Sequence, residues 1–407
     1  MTSWVALACL CVGGAHAAPS VAAPQSQQTV RAGAARDLKP LARHIEALAE
    51  DVVRRGKVVG LAVSIVDGDE VLLERGFGVA SASSREPITA DTVFRLASLS
   101  KAFAGTITGL LVQEGALRWD TRLIDPMPGF QLKNAQAAQQ VTVLDVLSHR
   151  VGLPFHTYDN DLEADQPYPL LAAKLAEAPV TCTPGNCYAY QNIAFSLVGD
   201  VVFAATGDFY THQVERRIFH PLGMYSATFG REALEASPQW ARPHVRGRKG
   251  WVAVRPKETY YRVPPAAGVN ASIRDMSQWL IAHMGGRPEV LSADLLDVLH
   301  RPVVATPNEL RGGGWRGARV RNAHYAIGWR VFDYARHRLV FHVGAVQGYR
   351  GVAAFFPDMR FGMVMLWNCE SSMPVGLLPT ALDRFLGLPT RDWTGLESAP
   401  RQPRRRR

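Results

Sequence analysis

Cysteine is scarce in this sequence. Only five occur in 407 residues, and two of them lie within the first eleven. No histidine or second cysteine pair stands at metal-ligand spacing from the others, which argues against a metal site. Cys182 and Cys187 are five residues apart and flank the Pro184-Gly185 turn. This spacing indicates a disulfide formed in an oxidising compartment, with two free thiols as the alternative.

Long apolar runs are missing after the N-terminus. No later stretch reaches the roughly 18–20 apolar residues that a helix needs to cross a bilayer. The first 18 residues are apolar and uncharged, and Ala15-His16-Ala17 resembles a signal-cleavage site, although no Lys or Arg precedes the apolar run. We expect a signal peptide at residues 1–18 and a periplasmic or secreted protein with no stable membrane span. The alternatives are a short anchor, or a lipoprotein signal with Cys9 or Cys11 as the acceptor.

Basic residues are not interleaved with aromatic residues, so we expect no nucleic-acid partner. The formal net charge is +9, but five arginines stand among the last seven residues, which leaves +4 for the rest of the chain. We expect residues 391–407 to form a disordered Arg-rich tail. The alternative is that this tail contacts an anionic envelope surface.

The order of the local patterns predicts an α+β fold. Residues 19–36 are rich in Ala, Gln, Pro and Ser and predict a linker, followed by one domain at 37–390 without internal repeats. Apolar spacing predicts a helix over 38–55, and two β-branched runs around Asp67-Gly68-Asp69 predict a hairpin, Val58–Val66 with Val71–Val79. From Ser98 to about residue 300 the patterns are mostly helical.

Strand patterns return near the C-terminus, and a last helix follows them. The predicted elements are Tyr325–Tyr334, Arg338–His342, Tyr349–Phe356, Met363–Leu366 and the helix Val375–Phe385. Strands at both ends of the chain predict one antiparallel sheet built from both termini and flanked by helices, with a largely helical lobe inserted.

The segment Ser98-Leu99-Ser100-Lys101 opens an apolar helical pattern. At this spacing Ser98 and Lys101 share a helix face, with Cβ atoms roughly 5–6 Å apart. A lysine so placed takes the serine proton, or holds the base that does, if burial lowers its pKa. Ser-x-x-Lys occurs by chance in most long chains, so its meaning depends on polar groups further along.

Such polar groups follow in two places. Tyr190-Gln191-Asn192 supplies a phenol that relays protons if its pKa is lowered, and a carboxamide that hydrogen-bonds a substrate amide and the lysine. His342-Val343-Gly344 lies on a predicted strand, where the glycine lets a substrate lie against the strand edge and the imidazole faces the cleft. We interpret a second copy of the tyrosine pattern, Tyr158-Asp159-Asn160, as a bystander and His149 as a structural hydrogen-bonding residue.

Together these motifs resemble those of the penicillin-recognising serine hydrolases, the family of class C β-lactamases, D-Ala-D-Ala carboxypeptidases of similar fold and related esterases. The resemblance covers roughly residues 40–386 in the family's order. Further segments carry it: Thr142–His149 with Gly152–Pro154, Ile218–Met224, Asp275–Trp279 and Tyr325–Trp329.

The resemblance implies a role for each matching residue, with no metal or other cofactor. Ser98 is the nucleophile that forms an acyl-enzyme, Lys101 is its base or holds that base, and Tyr190 carries the proton to the leaving nitrogen. Asn192 orients the substrate and the lysine. The backbone amides of Ser98 and Ala345 form the oxyanion hole, beside the substrate-binding residues His342 and Gly344.

Two departures weaken the prediction of an efficient β-lactamase. His342 stands where the most similar β-lactamases have Lys, and a neutral imidazole attracts a carboxylate less than an ammonium does. Val343 replaces a hydroxyl residue and removes a hydrogen bond to that carboxylate. Even so, Lys101, His342 and the helix N-terminus at Ser98 lead us to expect a site that favours an anionic substrate group.

The sequence therefore predicts an exported serine hydrolase that cleaves an amide, a β-lactam or a related bond, through an acyl-enzyme on Ser98. The alternatives are a D-amino-acid peptidase or carboxypeptidase, a short-chain esterase, and, outside the enzymes, a non-catalytic protein that binds peptidoglycan. The expected partner is a small-molecule or peptidoglycan-derived substrate, and the sequence leaves the oligomeric state open.

Overall fold

The computed structural model describes residues 37–396. The predicted signal peptide and linker lie outside the described residues. The strands are β1 (Gly60–Asp67), β2 (Glu70–Gly78), β3 (Val93–Arg95), β4 (Thr228–Phe229), β5 (His244–Gly247), β6 (Gly250–Ala253), β7 (Val269–Ser272), β8 (Val304–Ala305), β9 (Val320–Tyr325), β10 (Arg330–Tyr334), β11 (His337–Val346), β12 (Tyr349–Phe356) and β13 (Phe361–Trp367).

Most of the α-helices of the described chain lie between β3 and β9, seven of them in succession after β3. The α-helices are α1 (Lys39–Arg54), α2 (Ser100–Gln113), α3 (Ala135–Ala138), α4 (Val143–Leu147), α5 (Asp159–Glu163), α6 (Tyr168–Lys174), α7 (Ile193–Thr206), α8 (Tyr210–Val214), α9 (Arg231–Ala236), α10 (Pro264–Ala267), α11 (Ile273–Ile281), α12 (Ala293–Leu299), α13 (Trp315–Arg319) and α14 (Leu377–Leu386).

The main sheet has eight antiparallel strands in the order β2-β1-β13-β12-β11-β10-β9-β8. It joins the two ends of the chain because β1 pairs with β13, with Leu61 opposite Trp367 and Asp67 opposite Phe361. Nearly every residue of strand β1 is apolar, and nearly every one is buried. This is expected for a strand that is covered on both faces of the sheet. The predicted sheet built from both termini is confirmed.

Helices α1 and α14 cover one face of this sheet. The apolar stripe of α1 buries Leu41, Ile45, Leu48 and Val52, as its 3.6-residue spacing predicts. From α14, the Phe385 ring stacks on Phe361 of β13 with ring centroids 3.9 Å apart. These contacts form an apolar core between the two terminal helices and the sheet.

The helical lobe packs against the other face. Helix α11 lies on β1, where the hydroxyls of Ser64 and Ser277 are hydrogen bonded at 2.8 Å. A capping box between Ser272 and Asp275 fixes where α11 begins. Helix α2 is buried over almost its full length within the same large core. The helix that carries Ser100 and Lys101 is therefore held from several sides.

The predicted strand Tyr325–Tyr334 is wrong in one respect, because it is two strands, β9 and β10, joined by a turn. In this turn the Ala326 amide donates to the Trp329 carbonyl at 2.7 Å, and Gly328 has φ +72°. A Cβ atom on Gly328 would lie 2.3 Å from the Lys101 carbonyl oxygen. The glycine lets the turn pack directly on the first turn of α2, which an uninterrupted strand would prevent.

The folded chain also extends beyond the predicted boundary at residue 390. The Trp393 indole donates to the Asp383 carboxylate of α14 at 2.9 Å, and Leu396 is buried. Residues 391–396, which we assigned to the disordered tail, therefore pack on the domain. The remainder of the predicted tail, 397–407, lies outside the described residues.

Cys182 and Cys187 form a disulfide with Cα atoms 6.4 Å apart, which confirms the predicted pair, and Cys369 is a buried free thiol.

Within residues 37–396 no single helix has the length and apolar content to cross a membrane. One bent pair, Ile193–Thr206 with Tyr210–Phe219, reaches that length and composition only when its two parts are taken together.

Candidate active site

Ser98 lies in a short 3-10 turn, Ala97–Leu99, that connects β3 to α2. The preceding Ala97 has φ +50°, a left-handed conformation that costs a non-glycine residue about 1 kcal/mol or more. This sharp turn leaves Ser98 partly exposed between buried neighbours. Ser98 is hydrogen bonded to the phenol of Tyr190, so the structure brings together two residues 92 positions apart.

Lys101 is fully buried in the first turn of α2. Its Nζ donates to Asn192 Oδ1 at 2.7 Å and to the Ala266 carbonyl at 3.1 Å, and lies 4.6 Å from the centre of the Tyr190 ring. Burial lowers the pKa of Lys101 to about 7, the Asp159 carboxylate opposes this shift, and Arg330 adds to it. At neutral pH a substantial fraction of Lys101 is therefore an uncharged amine.

Asn192 is hydrogen bonded to Asp159, a residue of the motif that we interpreted from the sequence as a bystander. Asn192 Nδ2 donates to Asp159 Oδ2 at 2.8 Å, and the same oxygen accepts from His156 Nδ1 at 2.7 Å. The interpretation of Tyr158-Asp159-Asn160 as a bystander is thus wrong for Asp159. The carboxylate fixes the amide of Asn192 so that its oxygen faces Lys101.

Tyr190 is a half-buried phenol whose pKa is raised, so the lowered pKa that we named as the condition for proton relay is not met. Burial is the main cause, while the hydrogen bond to Ser98 and the charge of Arg330 pull the pKa of Tyr190 down. The phenol therefore keeps its proton at neutral pH. A protonated phenol hydrogen bonded to Ser98 is able to donate a proton there.

His149 packs against the ring of Tyr190 and holds the backbone next to it. Its ring centroid lies 4.3 Å from that of Tyr190, and its Nδ1 accepts from the Gln191 amide at 3.1 Å. Burial, and then the charge of Lys101, keep the pKa of His149 well below its ordinary value. The structural interpretation of His149 is confirmed.

His342 is buried against aromatic rings and does not face open cleft. Its Nδ1 donates to the Val343 carbonyl at 2.8 Å, and its Nε2 accepts from the Tyr325 phenol at 3.1 Å. Burial, Arg330 and Lys101 hold the pKa of His342 well below its ordinary value. The expectation that His342 favours an anionic substrate is therefore wrong: His342 is neutral, and both of its nitrogens are occupied within the protein.

Gly344 lies where the Ala97–Leu99 turn packs against the sheet. A Cβ atom at this position would lie 2.2 Å from the Leu96 carbonyl oxygen, so only glycine lets the Ala97–Leu99 turn pack on β11. That the same glycine lets a substrate lie against the strand edge stays a prediction. Strand β10 pairs with β11 only from His337 to Phe341, so the following residues, His342–Val346 with Ala345 among them, have no partner on that side. This free edge borders Ser98.

Arg330 is a site residue that the sequence analysis missed. It begins β10, is 9% exposed, and its guanidinium carbon lies 5.8 Å from the Tyr190 ring centre and 5.7 Å from that of Tyr325. It forms an ion pair with Glu309, which also pairs with Arg316. Nothing in the sequence marks these residues, because only the fold brings Glu309, Arg316 and Arg330 together.

Left-handed backbone conformations concentrate around this site. Besides Ala97, the non-glycine residues His149, His156 and Tyr158 have φ between +56° and +61°. Such strain persists only where surrounding contacts impose it.

Among residues 37–396 no three His, Cys, Asp or Glu side chains are grouped as a metal site requires. The absence of a cofactor stays a prediction.

Comparison with known proteins agrees with this geometry. An unguisins hydrolase of Aspergillus violaceofuscus is 24% identical over 88% of this chain and 68% of its own length. An octameric penicillin-binding protein homologue from Pyrococcus abyssi superimposes with a TM-score of 0.75 at 23% identity, over 85% of this chain and 77% of the other. A D-amino acid amidase from Ochrobactrum anthropi gives a TM-score of 0.68 at 22% identity, over 85% and 98%.

The chain spans about two thirds of the length of the curated relatives that it matches. The structural likenesses, at under 25% identity, establish the α+β fold of β-lactamases and transpeptidases. The family itself is shown by sequence, because residues 41–386 match the model of the family described as Beta-lactamase. This confirms the resemblance, and the chain belongs to the beta-lactamase family of serine hydrolases.

Proposed function

We propose that the protein is an exported hydrolase that cleaves an amide bond through an acyl-enzyme on Ser98. The observation that carries this proposal is the state of Lys101. A neutral amine has two N–H groups, and Lys101 directs its hydrogen bonds to Asn192 and Ala266. Its lone pair is then free to accept a proton on the side of Ser98 and Tyr190.

The first step follows from this arrangement. Lys101 takes the proton of Ser98 Oγ, directly or through Tyr190, and Oγ bonds to the substrate carbonyl carbon. Negative charge develops on the carbonyl oxygen, which the backbone amides of Ser98 and Ala345 are proposed to bind. Loss of one such donor typically costs about 10²–10³ in rate.

The second step favours amides over esters as substrates. An amine leaves a tetrahedral intermediate only when its nitrogen is protonated, whereas an alkoxide or phenoxide needs less help. The protonated Tyr190 phenol gives its proton to the leaving nitrogen and regains one from the Lys101 ammonium, whose Nζ lies 4.6 Å from the ring centre. A water molecule then hydrolyses the acyl-enzyme and restores Ser98.

The disulfide supports the proposed export. Cys182–Cys187 lies within the segment that leads to Tyr190, and disulfides persist in oxidising compartments. Among amide substrates, the neutral His342 favours amides without a free carboxylate over β-lactams and peptides with a free C-terminus, whose carboxylate it does not attract.

Covalent labelling tests the nucleophile. Fluorescent penicillin and a fluorophosphonate are expected to label the wild-type protein, and Ser98→Ala should abolish both reactions. Ser100→Ala is the matched control: Ser100 is buried two residues away, and its hydroxyl accepts from the Val269 amide at 3.0 Å, so this variant should still be labelled. Persistent labelling of Ser98→Ala would overturn the assignment. Turnover of nitrocefin, a D-Ala-ending muropeptide and p-nitrophenyl acetate then ranks the substrates.

A further inference from the structure

Arg330 is a permanently charged cation next to the tyrosines of this site. Its guanidinium carbon lies within 6 Å of the ring centres of both Tyr190 and Tyr325. Its charge acts on Lys101, Tyr190 and His342 together. With His342 neutral and Lys101 partly so, a substrate carboxylate would depend on Arg330.

That guanidinium already has an internal counter-ion. Glu309 stands in the turn Pro307–Arg311 and binds Arg330 through Oε1 and Arg316 through Oε2. The exposed fractions of the side chains are 11% for Arg330 and 18% for Glu309, so water screens this pair only weakly. Both carboxylate oxygens of Glu309 are engaged, so the two guanidiniums share one carboxylate and the three side chains together carry +1. Arg330 therefore already holds a carboxylate before any substrate arrives.

We propose that Glu309 sets the charge selectivity of the enzyme: by binding Arg330 it disfavours carboxylate-bearing substrates, so that the site prefers neutral amides and esters. This inference rests on the proposed function and adds the substrate class. Arg316 does not replace Arg330, because its guanidinium lies against the rings of Trp315, Phe332 and Phe341. The guanidinium carbon of Arg330 lies 5.8 Å from the Tyr190 ring centre.

The test compares substrates that differ by one carboxylate. On the acyl side these are p-nitrophenyl acetate and p-nitrophenyl hydrogen succinate; on the leaving-group side, methyl 4-acetoxybenzoate and 4-acetoxybenzoate. Wild type should prefer the neutral member of each pair. In Glu309→Gln the ratio of kcat/KM, anionic over neutral, should rise by about tenfold or more in at least one pair, since a hydrogen bond to a charged group contributes that much.

Two further variants separate charge from folding. Glu309→Ala removes the carboxylate without leaving an amide on Arg330 and should shift the same ratio in the same direction. Asp297→Asn is the matched control, because it removes a carboxylate from an exposed ion pair with Arg301 and should leave the ratio unchanged. The shift in the Glu309 variants should also shrink as salt is raised.

The outcomes distinguish the two levels of the proposal. If all variants turn over the neutral esters and the anionic-over-neutral ratio of kcat/KM changes in neither pair, the role of Glu309 is overturned. The proposed function then stays intact. If wild type turns over none of the four esters and Ser98 is not labelled, both fall. A larger ratio in Asp297→Asn as well would show a general effect of net charge and would also overturn the role of Glu309.

Discussion

The pKa of Lys101 gives the sharpest test of how this site is activated, and Asp159→Asn is the change that moves it. The Asp159 carboxylate is 7% exposed and reaches Lys101 through the amide of Asn192, over hydrogen bonds of 2.8 and 2.7 Å. Asn has the same shape as Asp and still accepts the hydrogen bond from Asn192. The substitution therefore removes a charge and little else.

The size of the effect follows from the geometry. Two hydrogen bonds and the width of an amide place the carboxylate roughly 7 Å from Nζ, where two unit charges interact by about 2 kcal/mol at an effective dielectric constant of about 20. Because 1.36 kcal/mol corresponds to one pH unit, the pKa of Lys101 should fall by one to two units from about 7. The neutral amine then persists to lower pH.

Acylation of Ser98 by p-nitrophenyl acetate in single turnovers reports this pKa, because the ester has no titrating group. For wild type the rate should rise with pH and level off above a midpoint near 7. In Asp159→Asn the midpoint should move to lower pH with a similar plateau. Asp161→Asn, which removes an exposed carboxylate paired with Lys174, should leave the midpoint in place. An unchanged or higher midpoint in Asp159→Asn would refute Lys101 as the base.

Two other predictions concern the same pair of residues. Tyr190→Phe should lower kcat/KM for an amide by about 10²–10⁴ and for p-nitrophenyl acetate by much less, because only the amide needs a proton on its leaving group; equal losses on both substrates would contradict the role of proton donor. Lys101 should also make stability depend on pH: its pKa is about 7 folded and 10.5 unfolded, so between these values the unfolded chain binds the extra proton and stability rises with pH. Urea unfolding of wild type at pH 7 and pH 9 should show a gain on the order of 2 kcal/mol over the change seen in Lys101→Met, and identical pH dependence would refute the lowered pKa.

Local patterns in the sequence were sufficient for most of the fold. Helix α1 and the β1–β2 hairpin follow from apolar spacing and turn residues, and their observed bounds lie within a few residues of the predicted ones. The error at Tyr325–Tyr334 arose because its apolar run continues across Ala326–Trp329. Gly328 breaks the strand there to reach α2, and that contact is tertiary.

At the site, the sequence identified side chains but not their electrostatic states. Ser98, Lys101, Tyr190 and Asn192 do come together, as the motif order predicted. Asp159, Glu309 and Arg330 were missed because their partners are brought close only by the fold. The neutrality of His342 likewise depends on burial and on the charges of Arg330 and Lys101, which no spacing reveals.

The pairing of β1 with β13 also determines when the site forms. The Gly60 amide donates to the Asn368 side chain at 2.8 Å across 308 residues, so the first strands find their partners only after nearly the whole chain exists. Folds dominated by such distant pairings fold slowly. The Ala97–Leu99 turn packs on β11, a strand of the sheet that is completed late. We therefore expect a nascent chain that already carries Ser98 and Lys101 to be inactive until its last strands have been synthesised.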